Sequence, residues 1–306
     1  MRLEVEAMPL NEGSMSAADN LKTILSFFDA NRLLDKIEEF RSLDLRTITD
    51  SELSKAIFNV LCIEFENAKM LLNFHSTRII PKGTDLFRIR RIDADDVEIP
   101  LKCMRKKADA WNPPKKVITK MGRLNKVGES LLYVSLNPYT AIKELKIKEG
   151  EKISLIAYKT KRDIYAVFIG LTNHDSYALT PEEKVKARLI ENFLYEEFSR
   201  DVGEGTEFLY RASEHIARNY FEPDPADEDE VWMYPSIVSK KEHNLCFRSN
   251  VAKRLLRLRG VMIGSFEQGN IICNHITHGI DGNHNFIYYP VGSDVQKSIF
   301  PEIITT

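Results

Sequence analysis

The first part of the chain repeats apolar residues every three or four positions, from about residue 17 to residue 74. One series has the spacing of the buried stripe of an amphipathic helix and comprises Leu21, Ile24, Leu25 and Phe28. A second series follows Thr49-Asp50-Ser51-Glu52, which has the form of a helix N-cap with acidic residues in the first turn. The pattern predicts a small α-helical domain over residues 1–80.

Beyond residue 80 the pattern changes to the short apolar and alternating stretches that are typical of strands. Leu86-Phe87-Arg88-Ile89-Arg90 alternates apolar and basic residues, as a half-buried strand does. Residues 93–121 are polar and contain three prolines, which indicates a long loop. Further strands are predicted at residues 131–135, 152–160, 164–171, 244–247, 261–266, 271–276 and 286–289, and helices at residues 138–145, 180–200 and 206–220.

Strands that are interrupted by helices without regular alternation favour an α+β fold. We therefore expect two domains, a small helical domain over residues 1–80 and a larger mixed domain over residues 81–306. The acidic, proline-bearing segment at residues 222–230 is expected to be a solvated loop.

Composition narrows the class of protein. Of the 306 residues, 43% are hydrophobic and 29% are charged, as is usual for a soluble globular protein. The formal net charge of -2 argues against a nucleic-acid-binding protein that works through a global basic field. The four cysteines form no C-x-x-C pair, the N terminus lacks a signal-peptide pattern, and no apolar stretch reaches the roughly 18 residues of a membrane span. We expect a cytoplasmic protein with reduced thiols, and neither a membrane nor a nucleic acid as its partner.

Two clusters carry chemistry that a ligand could use. The predicted loop is basic and contains Lys102, Arg105, Lys106, Lys107, Lys115, Lys116 and Lys120. It is either a solvated loop or a collar that raises the local concentration of a phosphate-bearing ligand. The C-terminal part contains Cys273, His275, His278 and His284. Because zinc sites use tighter paired spacings, such as C-x-x-C or H-x-x-x-H, we predict no metal site there.

The sequence contains no Walker A motif, no Rossmann fingerprint and no G-x-S-x-G elbow. Instead, the turn Gly122-Arg123-Leu124-Asn125-x-x-Gly128 leads into Leu132-Tyr133-Val134-Ser135 and Pro138-x-Thr140-Ala141-Ile142-x-Glu144. The turn would let backbone amides approach a ligand, and Arg123 could present a planar fork to a phosphate or carboxylate. Taken alone, Glu144 is more simply a surface charge and Tyr133 a core residue.

This succession of motifs resembles the RES-domain family, which is named for an arginine, a glutamate and a serine in that chain order. The resemblance covers about residues 84 to 290. The arginine corresponds to Arg88, the glutamate to Glu144 and the serine to Ser236 in Tyr234-Pro235-Ser236. The chain departs from the family at Leu124, where an aromatic residue is usual, and after Ser236, where an arginine is frequent.

The resemblance implies a fold like that of ADP-ribosyltransferases, a split mixed β-sheet with NAD in its cleft, preceded here by the helical domain. It also implies NAD degradation at the nicotinamide–ribose bond, by phosphorolysis or hydrolysis, often as the toxin of a toxin–antitoxin or defence system. NAD would be a substrate, inorganic phosphate a co-substrate of phosphorolysis, and no bound cofactor would be needed. An antitoxin or inhibitor protein would be a partner.

The same resemblance implies roles for individual residues. Glu144 would orient the ribose hydroxyls and stabilise a cation-like sugar, and Arg88 would bind the NAD diphosphate or an incoming phosphate. Ser236 would bond the ribose or hold Glu144 in place. Tyr133 would stack on the nicotinamide or the ribose. The remaining NAD-binding residues would be Gly122, Arg123, Asn125 and Tyr234.

Two alternatives stay open at this point. The chain could instead be an ADP-ribosyltransferase that modifies a protein target, or a non-enzymatic interaction module that has kept the fold. The N-terminal helices could inhibit the enzyme, mediate homo-oligomerisation or sense a trigger, and the residues do not decide among these roles.

Overall fold

The structure, a computed structural model, describes residues 17–65, 68–72, 76–96, 98–170, 178–226, 228–238 and 241–303. These residues group into two compact units. The first, which we call the helical unit, comprises the described parts of Met1–Ser76, Gly122–Leu124 and Ile169–Phe221. The second, the sheet unit, comprises those of Thr77–Met121, Asn125–Phe168 and Glu222–Thr306. This division differs from the expected boundary at residue 80, because residues 169–221 group with the N-terminal helices.

Eight α-helices and twelve strands occur within the described residues. The helices are α1 (Ala17–Ser26), α2 (Ala30–Arg41), α3 (Asp50–Leu61), α4 (Pro138–Glu144), α5 (Pro181–Ser199), α6 (Tyr210–Tyr220), α7 (Ser249–Leu255) and α8 (Asp294–Ile299). The strands are β1 (Cys62–Phe65), β2 (Ala68–Leu71), β3 (Ser76–Ile80), β4 (Asp85–Arg91), β5 (Leu131–Ser135), β6 (Lys152–Thr160), β7 (Ile164–Phe168), β8 (Val231–Pro235), β9 (His243–Arg248), β10 (Leu256–Glu267), β11 (Asn270–Ile280) and β12 (Phe286–Pro290). In this part of the chain, none of the helices combines the length and apolar character needed to cross a membrane.

Local capping fixes the starts of the N-terminal helices. The Asp29 side chain accepts hydrogen bonds from two backbone N–H groups in the first turn of α2. Thr49 and Glu52 form a reciprocal capping box at α3, where the sequence predicts an N-cap. Each of the two helices buries an apolar stripe. In α2 it comprises Leu33, Ile37 and Phe40, and in α3 it comprises Leu53, Ile57 and Val60.

The helical prediction fails after Leu61. There α3 ends, and β1 pairs antiparallel with β2, with Cys62 opposite Leu71. A short apolar run fits both the period of a helix and the period of a strand, so the pattern alone does not separate the two. The β-branched Ile63 and the aromatic Phe65 favour the strand.

Two helices from the middle of the chain complete the helical unit. Thr180 and Glu183 form the capping box that begins α5. The Phe193 ring of α5 contacts Phe40 of α2 edge-on, with ring centroids 5.2 Å apart. Arg211 of α6 donates to two backbone carbonyl groups before α3, at 2.6 and 2.9 Å. These contacts are the reason why the described residues of Ile169–Phe221 belong with the N-terminal helices.

The sheet unit contains a ten-stranded mixed sheet in the order β12-β11-β10-β6-β4-β5-β9-β8-β7-β3. β7 and β8 pair in parallel. Across the sheet from β8 to β12, in the order given above, each neighbouring pair is antiparallel. Every strand that the sequence predicts beyond residue 80 overlaps a strand of this sheet, while β3 and β8 were not predicted. The α+β class is therefore confirmed.

Each face of the sheet carries its own apolar core. On one face, which we call the α4 face, Ala141 and Ile142 of α4 pack on strand residues that include Ile89, Leu155, Ala157 and Met262. On the opposite, α7 face, Val251 and Leu255 of α7 belong to a core that includes Leu132, Val134, Leu245 and Phe247. The two cores fix which side chains of each strand point to which face.

The described part of residues 222–230 is a loop whose residues 222 and 224–226 are exposed, as its composition predicts, but its C-terminal end is not solvated. Glu228 and Asp229 are buried. The Asp229 carboxylate accepts hydrogen bonds from Arg162 at 3.1 Å and from the backbone N–H of Tyr165 at 3.0 Å, and Glu228 accepts one from Thr77 at 2.6 Å. Because a buried carboxylate needs donors, these contacts tie the acidic segment to the edge of the sheet.

Candidate functional site

Helix α4 carries Glu144 as its last residue and is fixed at both ends. Asn137 caps its start by accepting a backbone N–H of the first turn at 2.8 Å, and Pro138 occupies the first helical position. Arg91 of β4 donates to two backbone carbonyl groups that follow the helix. Those carbonyls have no partner within the helix, so the arginine satisfies them. Glu144 is thus held on a short helix that is anchored to the sheet.

One oxygen of the Glu144 carboxylate is held by three donors. Oε1 accepts hydrogen bonds from the hydroxyl of Ser236, from the backbone N–H of Ile237 at 3.0 Å and from the side-chain amide of Asn244 at 2.9 Å. Among the described residues, Oε2 accepts no hydrogen bond. The side chain is half-buried. The arrangement fixes the carboxylate and leaves one oxygen able to accept from a ligand.

The three partners of Glu144 are themselves held in place. The Ser236 side chain is fully buried, and its oxygen accepts the backbone N–H of Val238 at 3.0 Å. The other end of the Asn244 amide, Oδ1, accepts the hydroxyl hydrogen of Ser135. Asn244 and Ser135 are 5% and 4% exposed. A chain of buried hydrogen bonds therefore runs from β5 through β9 to the carboxylate.

The topology of the sheet explains why these residues meet. β5 and β8 both run antiparallel to β9, so their C-terminal ends lie at the same edge of the sheet. Ser135 and Tyr234 each lie opposite Asn244 in register, and Ser236 follows β8 directly. Ser135 also lies opposite Phe87, which packs in the core of the α4 face. Because cross-strand partners share a face, Ser135, Asn244 and Tyr234 all point to the α4 face.

Two of the predicted ligand-binding tyrosines lie beside this network. Tyr133 lies two positions before Ser135 on β5 and so shares its face, and its ring meets Tyr234 edge-on with centroids 6.4 Å apart. The Tyr133 hydroxyl donates to Oδ1 of the buried Asn125 at 2.9 Å. The structure thus brings five predicted site residues into one region: Glu144, Ser236, Tyr133, Tyr234 and Asn125.

Arg88 does not join this group. It follows Phe87 on β4 and lies opposite a residue of the α7-face core, so its side chain points to the α7 face. There, Nη1 donates to the carbonyl of Trp111 at 2.6 Å. Burial lowers the pKa of the Arg88 guanidinium, and the neighbouring Tyr158 hydroxyl partly opposes that change. The expected convergence of Arg88 on Glu144 is absent because successive residues of a strand point to opposite faces.

Arg123 belongs to the helical unit, where it binds the protein's own backbone. Its guanidinium donates to two carbonyl groups at the C-terminal end of α5, one of them at 3.2 Å, and lies 5.3 Å from the ring centroid of Tyr210. A cation at a helix C terminus interacts favourably with the helix dipole. Gly122 adjoins Arg123 in the same unit, while the left-handed glycine of this turn is Gly128, with a φ of 77°. The fork predicted to bind a ligand is therefore engaged by α5.

Three groups of the network had no role in the sequence-based prediction. They are the Ser135 hydroxyl, the Asn244 amide and the backbone N–H of Ile237. Ser135 and Asn244 are polar residues within apolar strands, and buried polar side chains in such positions are almost always hydrogen-bonded. That signal was present in the sequence. The backbone donor has no counterpart in residue type and could not be predicted.

The side chains of Cys273 and His278 contact backbone carbonyl groups. The Cys273 thiol donates to the carbonyl of His275 at 3.3 Å, and burial raises the pKa of that thiol to about 11. The His278 ring lies within hydrogen-bond distance of the Arg259 carbonyl, at 3.1 Å. In the part of the chain that the structure describes, no three His, Cys, Asp or Glu side chains are arranged to hold a metal ion. The seven cations of the basic loop are all exposed, and its two interpretations stay open.

Comparison with protein-family models gives no match for this chain, and neither does a search of curated proteins. A proposal about function therefore rests on the geometry around Glu144 and on the motifs of the sequence.

Proposed function

We propose that this protein is an NAD-consuming enzyme that cleaves the bond between nicotinamide and ribose, as an NAD phosphorylase or glycohydrolase. The observation that carries the proposal is the Glu144 carboxylate, whose Oε1 is fixed by three donors while Oε2 accepts no hydrogen bond among the described residues. The resemblance to the RES-domain family supplies the substrate class. Direct contact between Glu144 and Ser236, two residues of the family's motif, supports it further.

The chemistry needs a fixed anion beside the sugar. When the bond between ribose C1′ and the pyridinium nitrogen breaks, the electron pair goes to that nitrogen and nicotinamide leaves as a neutral molecule. Positive charge then develops on the ribose, and an ionised carboxylate stabilises it. An oxygen of phosphate or water forms the new bond to C1′, and water releases its proton to solvent. Glu144 would contact the ribose through Oε2.

Neighbouring residues fit parts of this task. Tyr133, which is half-buried, offers aromatic surface on the same face of the sheet as the network around Glu144, and the buried Tyr234 packs edge-on against it. Of the two roles considered for Ser236, the observed contact supports the one in which it holds Glu144. We assign no diphosphate contact to Arg88 or Arg123, because their guanidinium groups donate to backbone carbonyls.

The proposal extends to the finer fold and to the biological setting. The mixed, largely antiparallel sheet is compatible with an ADP-ribosyltransferase-like arrangement. In that case the enzyme would act in the cytoplasm as a toxin, with an antitoxin or inhibitor protein as its partner. The family resemblance supports these assignments.

Incubation of the purified protein with NAD, with and without phosphate, followed by product analysis, tests the proposal. We expect free nicotinamide together with ADP-ribose or its phosphorylated form. Glu144→Gln keeps an acceptor for the three donors but removes the charge, so we expect turnover to fall by about 100-fold or more. Glu39→Gln, on an exposed position of α2, is the matched control and should retain full turnover.

Three outcomes would contradict the proposal. Full turnover by Glu144→Gln would remove the carboxylate from the mechanism. Loss of NAD that begins once a protein target is added, with label on that target, would favour an ADP-ribosyltransferase. Neither binding nor consumption of NAD would favour an interaction module.

A further inference from the structure

Two buried residues of the sheet, Ser135 and Asn244, form a chain of hydrogen bonds that ends at Glu144. The Ser135 hydroxyl donates to Oδ1 of Asn244, and Nδ2 of Asn244 donates to Oε1 of Glu144 at 2.9 Å. We infer that Ser135 and Asn244 are positioning residues of the proposed active site: Ser135 orients the Asn244 amide, and the amide holds the Glu144 carboxylate. This inference rests on the proposed function and deepens it.

The two ends of the Asn244 amide have different hydrogen-bonding partners. An asparagine side chain has a donor end and an acceptor end of nearly equal shape, so its orientation depends on its neighbours. If the Asn244 amide were reversed, its oxygen would face the acceptor oxygen of the Glu144 carboxylate. The observed orientation avoids that repulsion and gives the Ser135 hydroxyl an acceptor. The hydrogen-bonding pattern therefore requires Oε1 of Glu144 to be an acceptor on that side of the amide.

Because Asn244 and Ser135 are buried, loss of the observed amide orientation would cost free energy. Asn244 and Ser135 are 5% and 4% exposed, so water does not readily replace a missing protein partner. Both ends of the amide are satisfied, one by β5 and the other by α4. Removal of either residue would let the carboxylate change its direction, and Oε2 would no longer be held beside the ribose in the transition state.

Four single variants test the inference, with NAD turnover and the KM for NAD as readouts. Asn244→Ala removes one of three donors to Oε1, so we expect kcat to fall by about 30- to 100-fold with KM nearly unchanged. Ser135→Ala leaves the donor but frees its orientation, and we expect a loss of about tenfold. Ser130→Ala is the matched control, because Ser130 is an equally buried serine just before β5 that bonds Asn112 and a backbone carbonyl.

The fourth variant, Asn244→Asp, distinguishes positioning from mere packing. It has nearly the same shape but places a second carboxylate against Glu144, so the two charges repel unless one is protonated. We expect turnover as low as that of Asn244→Ala at neutral pH and a recovery of about tenfold towards pH 5. Asn244→Ala should show no such recovery. Flat profiles for both variants would overturn the positioning role.

A second measurement does not depend on NAD. With ¹⁵N-labelled asparagine, the side-chain amide hydrogens of Asn244 should exchange slowly in the wild-type protein and at least about tenfold faster in Ser135→Ala. Unchanged exchange would overturn the orienting role of Ser135, even if Asn244→Ala failed to fold. Wild-type protein that releases no nicotinamide would refute the proposed function. Active wild type with Ser135→Ala and Asn244→Ala equal to Ser130→Ala would refute this inference alone.

Discussion

Glu197 is a buried carboxylate of the helical unit, and its protonation affects the stability of that unit. Its side chain on α5 is 2% exposed. Oε1 accepts a hydrogen bond from Arg200, whereas Oε2 has no partner among the described residues. Burial raises the pKa of Glu197 above its ordinary value, and Arg200 opposes the change without cancelling it. The folded protein therefore binds this proton more tightly than the unfolded chain does.

The pH dependence of stability follows from the raised pKa of Glu197. Stability is greatest below the unfolded pKa of Glu197 and declines as the pH rises through the higher, folded value. We expect Glu197→Gln to raise the free energy of unfolding at neutral pH by on the order of 1 kcal/mol, and to give no gain below about pH 4. Urea unfolding at several pH values measures this, with Glu39→Gln, at an exposed position of α2, as the control. A gain that is equal at acid and neutral pH would contradict the assignment.

Residue types in the sequence predicted the glutamate and the serine of the candidate site better than its arginines. Glu144 and Ser236 are in direct contact although 92 positions separate them in the chain. Arg88 and Arg123 have the chemistry to bind a phosphate, yet both donate to backbone carbonyls. A guanidinium binds any suitable acceptor, including the protein's own, and sequence alone does not show which acceptor is near.

Among the elements, α4 is the one whose stability should affect the candidate site most directly, because it carries Glu144. It is a seven-residue helix, too short to be stable by itself, and depends on its caps and on packing. The Asn137 side chain provides the N-cap at 2.8 Å. We expect Asn137→Ala to lower the free energy of unfolding by about 1 kcal/mol. NAD turnover should also fall, but less than in Glu144→Gln.

The matched variant for this prediction is Asn137→Asp. Aspartate keeps the accepting oxygen and adds a negative charge that the helix N terminus favours, so stability should return to the wild-type value or exceed it. Equilibrium unfolding in urea compares the three proteins. If Asn137→Ala and Asn137→Asp were equally destabilised, the cap would not be what holds α4.

Several elements with strong local signals were predicted from the sequence, whereas helices α7 and α8 were missed although Ser293 caps α8. The capping boxes of α3 and α5 and the proline of α4 mark helix starts through contacts between residues close in sequence. β1 was taken for helix because its run is short, and β8 was missed although it leads to Ser236. Its sequence, VWMYP, follows an acidic segment and shows no alternation of apolar and polar residues.

At the scale of the whole molecule, the order of the strands in the sheet determines which residues meet at the candidate site. β5, β9 and β8 are neighbours, which brings Ser135 beside Asn244 and places Ser236 at the same edge. No local pattern encodes that order, since it depends on pairings between distant parts of the chain. The α+β class could be predicted from the succession of elements, whereas the network around Glu144 required the register of three strands.

The helical unit is built from separate segments of the chain, so removal of its N-terminal helices should destabilise α5 and α6. A chain that begins at residue 76 keeps all ten strands of the sheet but loses α1, α2 and α3. α5 would then expose Phe193, which is 1% exposed and contacts Phe40 of α2, together with the rest of its apolar stripe. Each large apolar side chain left in water costs about 2 kcal/mol. We therefore expect the truncated protein to aggregate or to bind a hydrophobic dye strongly.

A chain that begins at residue 17 keeps every described residue of both units and is the control for this truncation. Because it keeps α1, α2 and α3, it should aggregate less and bind less dye than the chain from residue 76, which light scattering and dye fluorescence would show. A soluble chain from residue 76 with a cooperative melt and no dye binding would mean that α5 and α6 are stable without the N-terminal helices. The N-terminal helices would then be a separate module, as a boundary at residue 80 implies. Aggregation would instead mean that residues 169–221 need them, because the apolar faces of α5 and α6 are buried against those helices.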